Sequence, residues 1–123
     1  MTINKSDRPV LPVEIKEGRV SEVELFQNEV IRPVIKQHSD LLFARLNSAL
    51  VSMNIDLVKL PSYKKREVLT QLFHKYQPFK REIVGMVIGH FTLEEYRRYE
   101  SIHKAINRRI VQIVLSRCID RLM

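Results

Sequence analysis

Five residues have side chains and spacing that could do chemistry together. His38 and Arg45, seven positions apart, interrupt an apolar helical face between Val34, Leu41, Leu42 and Ala49. His103 lies beside a stripe of Tyr99, Ile106 and Ile110. With Tyr96 and Tyr99, these residues could line a polar pocket between the first and last helices, suited to a small anion. A guanidinium inside an apolar face needs a carboxylate or several carbonyls, because desolvating it alone costs many kcal/mol. Glu29, Asp40 and Glu100 are the nearest candidates by helix face. The competing reading is a satisfied internal network, or an arginine whose stem covers the face while its head reaches water.

Other reactive side chains have less company. Glu100-Ser-Ile-His103 has the Glu-x-x-His spacing of carboxylate-bridged di-iron bundles, but that chemistry needs a second such pair and further inward carboxylates. The chain has neither, so no metal is expected. Cys118 has no His or Asp at motif spacing and sits among apolar residues, which makes it a packing residue, not a nucleophile. There is no P-loop, dinucleotide fingerprint or serine-hydrolase elbow, so no cofactor is implied and the balance leans away from an enzyme.

The positive charge lies in the second half. Residues 1–56 carry seven Lys/Arg against eight Asp/Glu, and residues 57–123 carry fourteen against six. The net charge is +7 and the isoelectric point about 9.8. One basic group, Lys64, Lys65, Arg66, Lys80 and Arg81, decorates two short helices. A second, Arg97, Lys104 and Arg108, shares a stripe on the last helix, with Arg98 and Arg109 flanking it. Short helices joined at Gln77-Pro78 could mimic a helix-turn-helix that contacts phosphates. The competing reading is a solvated helical surface.

The elements that must position these residues read as helices. At 123 residues the chain is one domain with room for a single core. Three glycines and abundant Leu, Ile, Val, Lys, Arg and Glu favour an all-α fold. A lone cysteine fits a reducing, cytoplasmic setting. The polar start, Met1 to Arg8, lacks the apolar stretch of a secretion signal. The longest apolar run, Ile83 to Gly89, has seven residues against the roughly 20 that span a bilayer.

Pro9, Pro12 and the alternation of Leu11, Val13 and Ile15 mark residues 1–20 as a short extended arm. Ser21-x-x-Glu24 is a capping box that opens a helix to about Met53, with Pro33 kinking or breaking it. Asn54 is its stop. Further helices are expected over about 62–76 and 78–90, the latter started by Pro78. Ile83 to Gly89, apolar all round, should lie at the centre of a bundle, with Gly85 and Gly89 admitting a neighbouring helix. A short buried strand is the alternative. Thr92-x-x-Glu95 caps a last helix reaching Leu122.

Along that last helix Tyr96, Tyr99, Ile102, Ile106, Ile110 and Ile113 form one seam. Val111, Leu115, Cys118 and Leu122 form a second, turned roughly a quarter-circle or more from the first. One core does not easily cover both, so the second seam is expected to face a partner, most simply a second copy in a homodimer. Val111→Glu or Leu115→Glu would then split the dimer, whereas Ile106→Glu would unfold the domain.

Three segments carry a resemblance: Glu24 to Gln37 (ELFQNEVIRPVIKQ), Gly85 to Tyr96 (GMVIGHFTLEEY), and Ala105 to Ile110 (AINRRI). They resemble a small, uncharacterised bacterial family of helical proteins, some of whose members bear a "glyoxalase" label. The family implies a helical fold over most of the chain after residue 20 and offers no catalytic residues to transfer. The label implies a metal-dependent βαβββ enzyme, for which this sequence has neither strands nor ligands.

The sequence therefore predicts an all-α bundle of four to five helices over residues 21–123, preceded by the arm. Its leading functional reading is a non-enzymatic, self-associating interaction protein. Nucleic-acid binding by the basic half is the alternative, and a small-molecule site at His38, Arg45 and His103 a third.

Overall fold

The computed structural model describes residues 21–123. The predicted arm, residues 1–20, lies outside the described residues. Everything described is helix and connection, with no strand, so Ile83–Gly89 is not the short strand weighed above. In chain order the elements are α1 (Glu22–Phe26), a π-helical turn (Gln27–Ile31), α2 (Arg32–Gln37) and α3 (Ser39–Ser52). A 3₁₀ turn (Leu57–Lys59) follows, then α4 (Ser62–Lys75), α5 (Gln77–Ile88), α6 (Leu93–Glu100) and α7 (His103–Leu122). Because α1, the π turn and α2 run on as one rod, the described residues form six helices, not four or five.

Most helix ends form where local chemistry demands. The Ser21 hydroxyl accepts the Glu24 amide at 3.1 Å. Thr92 and Glu95 complete a reciprocal box, with the Glu95 amide donating to Thr92 Oγ1 at 3.1 Å and the Thr92 amide to Glu95 Oε1 at 2.8 Å. Pro78 sits in the first turn of α5, where its missing amide costs nothing. Asn54 adopts a left-handed φ of 60°, which stops α3 as expected.

Two breaks differ from expectation. Pro33 does not end its helix. The backbone widens into a π turn just before it, and the Arg32 amide donates to the Gln27 carbonyl five residues back. The interruption comes instead at His38, whose φ of −111° and ψ of 21° separate α2 from α3. The expected single helix over 92–122 is likewise two, divided at Ile102 (φ −126°, ψ 21°).

α7 is the central pillar. It packs against α2, the π turn, α4, α5 and α6, so apolar side chains on several sides of it meet protein. This corrects the reading of the second seam. Val111, Leu115 and Cys118 are buried within the same core as Ile106 and Ile110, and Leu122 is partly buried against it. The quarter-turn between the seams is covered by neighbouring helices of this chain, so the seam does not require a partner.

α5 is corrected too. Ile83, Val84 and Val87 face the core, but Gly85 and Gly89 face outward. A Cβ on Gly85 would meet nothing within 4 Å, and one on Gly89 would meet only the carbonyl oxygens of Gly85 and Met86. The two glycines admit no neighbouring helix. Aromatic pairs tie the bundle ends: Phe26 on Phe91 at 5.5 Å, Phe91 on Tyr99 at 5.6 Å and Phe73 on Phe79 at 5.2 Å. Such pairs are worth roughly 0.5–1.5 kcal/mol each beyond burial. Among the described residues, no helix is long and apolar enough to cross a membrane.

Candidate functional site

The polar pocket expected from His38, Arg45, Tyr96, Tyr99 and His103 does not assemble. His38 and Arg45 turn toward α5. The His38 ring stacks on His90 with centroids 3.5 Å apart and planes within 10°, His38 half-buried and His90 exposed. Arg45 pairs with Glu82 at 2.8 Å and lies over the Phe79 ring, so its partner is none of the three acids named from sequence. Hydrogen bonding to that guanidinium holds the Glu82 carboxyl below the usual carboxylate range and raises Arg45 in turn.

The other three residues stay on α6 and α7. The Tyr99 hydroxyl donates to Asn107 Oδ1 at 2.7 Å, and burial raises the Tyr99 phenol. Tyr96 lies beside it at 5.5 Å, half-exposed. His103 Nδ1 donates to the Glu100 carbonyl at 3.0 Å. Arg45, Tyr99 and His103 are each engaged with a different partner. Among the described residues no three His, Cys, Asp or Glu converge on a metal position. Cys118 is buried and its thiol is pushed up to about 11, mainly by desolvation, so it stays protonated at neutral pH.

The basic residues singled out on α4 and α5 sit on the opening turns of two successive helices. The two helices join at Tyr76 and pack against each other. Lys64, Lys65 and Arg66 start α4, and Lys80 and Arg81 start α5. Lys64 is also engaged by Glu67 at 3.5 Å. Arg97 lies on α6, and Lys104 and Arg108 on the first turns of α7. Arg98 is tied to Glu29 at 3.2 Å and lies over Phe26.

A different set of cations does converge. Between the first rod and α7 runs a groove of about 570 Å³, lined by Gln27, Arg32, Arg109, Gln112, Ile113, Ser116, Arg117 and Asp120. Three guanidinium groups face one acid there. Arg109 is held by Gln27 Oε1 at 2.9 Å, whereas Arg32 and Arg117 have no ion-pair partner among the described residues. Arg109 and Arg117 are eight residues apart, about 12 Å along α7, so the positive charge is spread along the groove.

The π turn makes this geometry. Residues five apart in a regular α-helix point about 140° away from each other. The wide turn bonds Arg32 to Gln27 directly and brings both to the same side of the rod, against α7. A proline that disfavours regular α-helix bonding is thus next to the distortion that builds one wall.

A second hollow of about 330 Å³ adjoins the groove. Its walls are Ile35, Leu42, Phe43, Val114 and Cys118, with Ser39, Arg117, Asp120 and Arg121 at the polar side. Arg117 and Asp120 line both spaces. Arg121 lies 4.2 Å over the Phe43 ring and bonds Asp40 at 3.0 Å.

The α7 half of the groove has a local signal, a polar stripe at 109, 112, 116 and 120 in three- and four-residue steps with Arg117 flanking it. Its pairing with Arg32, far away in sequence, had no local signal. Searches of family models, curated proteins and solved structures each found no match.

Proposed function

We propose that this chain is a non-enzymatic binding module for a polyanion, with nucleic acid as the partner class and the Arg32–Arg109–Arg117 groove as its anchor. The observation that carries this reading is the convergence of three guanidiniums, two of them without an ion-pair partner among the described residues, on one open groove. Arginine forks match phosphate oxygens bidentately, and spread charge suits successive phosphates along a chain. The scattered lysines and arginines of α4 to α7 add the long-range field that draws such a partner in. Binding is favoured over catalysis because the candidate nucleophile is a protonated, buried thiol and the candidate acid–base groups are engaged separately.

The test is a titration of labelled nucleic acid at several salt concentrations. Two or three groove contacts predict a log–log salt slope of about −1.5 to −3. Arg109→Glu with Arg117→Glu should lower low-salt affinity at least tenfold while leaving the far-ultraviolet spectrum unchanged. No binding at low salt would sink the proposal.

Self-association is the second reading, moved to another surface. Val51 and Val58, 70% and 86% exposed, border an open apolar hollow with Ile55 and Leu122. A monomer mass by light scattering at micromolar concentration would discard it.

A further inference from the structure

We infer that the arginine groove and the hollow beside it form one site for single-stranded nucleic acid, phosphates on the arginines and one unstacked base in the hollow. This deepens the polyanion reading and rests on it. The two spaces share a wall, because Arg117 and Asp120 line both. A ligand held by its phosphate at Arg117 therefore has the hollow within reach of the next group along its chain.

The hollow suits a base better than other appendages. Its mixed walls disfavour an acyl chain, which would leave Ser39, Arg117, Asp120 and Arg121 facing hydrocarbon. A base has apolar faces and a polar edge. Arg121 stacked over Phe43 at 4.2 Å offers a flat cationic platform for a base face, and guanidinium planes stack on bases as aromatic rings do. The Ser39 hydroxyl and the Asp120 carboxylate can meet donors on the base edge. Asp120 repels phosphate, which directs the phosphates to the Arg32 and Arg109 end and leaves the carboxylate to the base. A duplex cannot use the hollow, since its bases are paired and stacked away from the backbone.

The experiment compares three labelled probes on the whole chain at one low salt concentration. They are a single thymidylate strand of about 12 nucleotides, an abasic strand of equal length and charge, and a duplex of the same length. The intact strand should bind on the order of tenfold more tightly than the abasic strand, as one stacked base implies, and more tightly than the duplex. Ser39→Trp, which fills the hollow from its half-buried rim, should reduce the intact strand to abasic affinity. Arg121→Ala, which removes the platform, should do the same, and circular dichroism identifies any variant that fails to fold. Equal binding of all three probes would overturn this inference and leave the polyanion reading standing. A wild-type preference that survives in both folded variants would also overturn it. Absence of binding to every probe would remove both.

Discussion

Val111→Glu separates the observed packing of α7 from the seam-as-interface alternative. Val111 is 2% exposed and belongs to the core shared by Ile106, Ile110 and Val114. Replacing it loses about 1.5–3 kcal/mol of apolar burial. It also places a carboxyl group where no described cation is paired for it. Keeping that group charged, or protonating it without a partner, costs several kcal/mol more. The sum, on the order of 5 kcal/mol, matches the lower end of the roughly 5–15 kcal/mol that holds a domain of this size together. The variant should show no cooperative thermal transition by circular dichroism, or one lowered by 20 °C or more, at about 4–8 °C per kcal/mol. Leu115→Glu should behave alike. Val58→Glu, at an 86% exposed position, should change stability by no more than about 0.5 kcal/mol. If Val111→Glu melts like the parent and light scattering shows its mass halved, the seam is an interface and the packing argued for α7 is wrong.

Three further outcomes follow from individual side chains. Gly85→Ala adds a methyl group that meets nothing within 4 Å and removes a flexible residue from the middle of α5, so it should stabilise by roughly 0.5–1 kcal/mol, visible as a higher melting temperature. Cys118, buried and with its thiol pushed up to about 11, should resist a thiol reagent at pH 8 until denaturant unfolds the chain; labelling of the native protein within minutes would contradict its placement. Glu82→Gln should cost less than about 1 kcal/mol at neutral pH, because the Arg45–Glu82 pair is well exposed to solvent. Since the folded-state carboxyl is lowered, the pair stabilises above the ordinary carboxylate range and loses that contribution as pH falls through it. The stabilities of Glu82→Gln and the parent should therefore converge in acid, and a gap that widens there would refute the pairing.

By itself, the sequence determined where most helices begin and end. Ser21, Thr92-x-x-Glu95, Pro78 and Asn54 act through bonds and torsions a few residues long, so their effect is readable wherever the chain goes. The helical period of the apolar residues likewise fixed which side chains seek burial. Only the tertiary structure decided what covers them. Val111 and Leu115 are interior because α7 has helices on several sides, while Gly85, inside the most apolar run of the chain, faces outward. The candidate sites divide the same way. His38 and His103 were grouped from sequence, yet one stacks on His90 and the other, exposed, bonds its own preceding turn. Arg32 and Arg117 share a groove only because a π turn rotates the first rod and α7 lies alongside it. Hydrogen bonding along a helix is local, whereas convergence of charges depends on how whole rods rotate and pack, and no window of sequence contains that information.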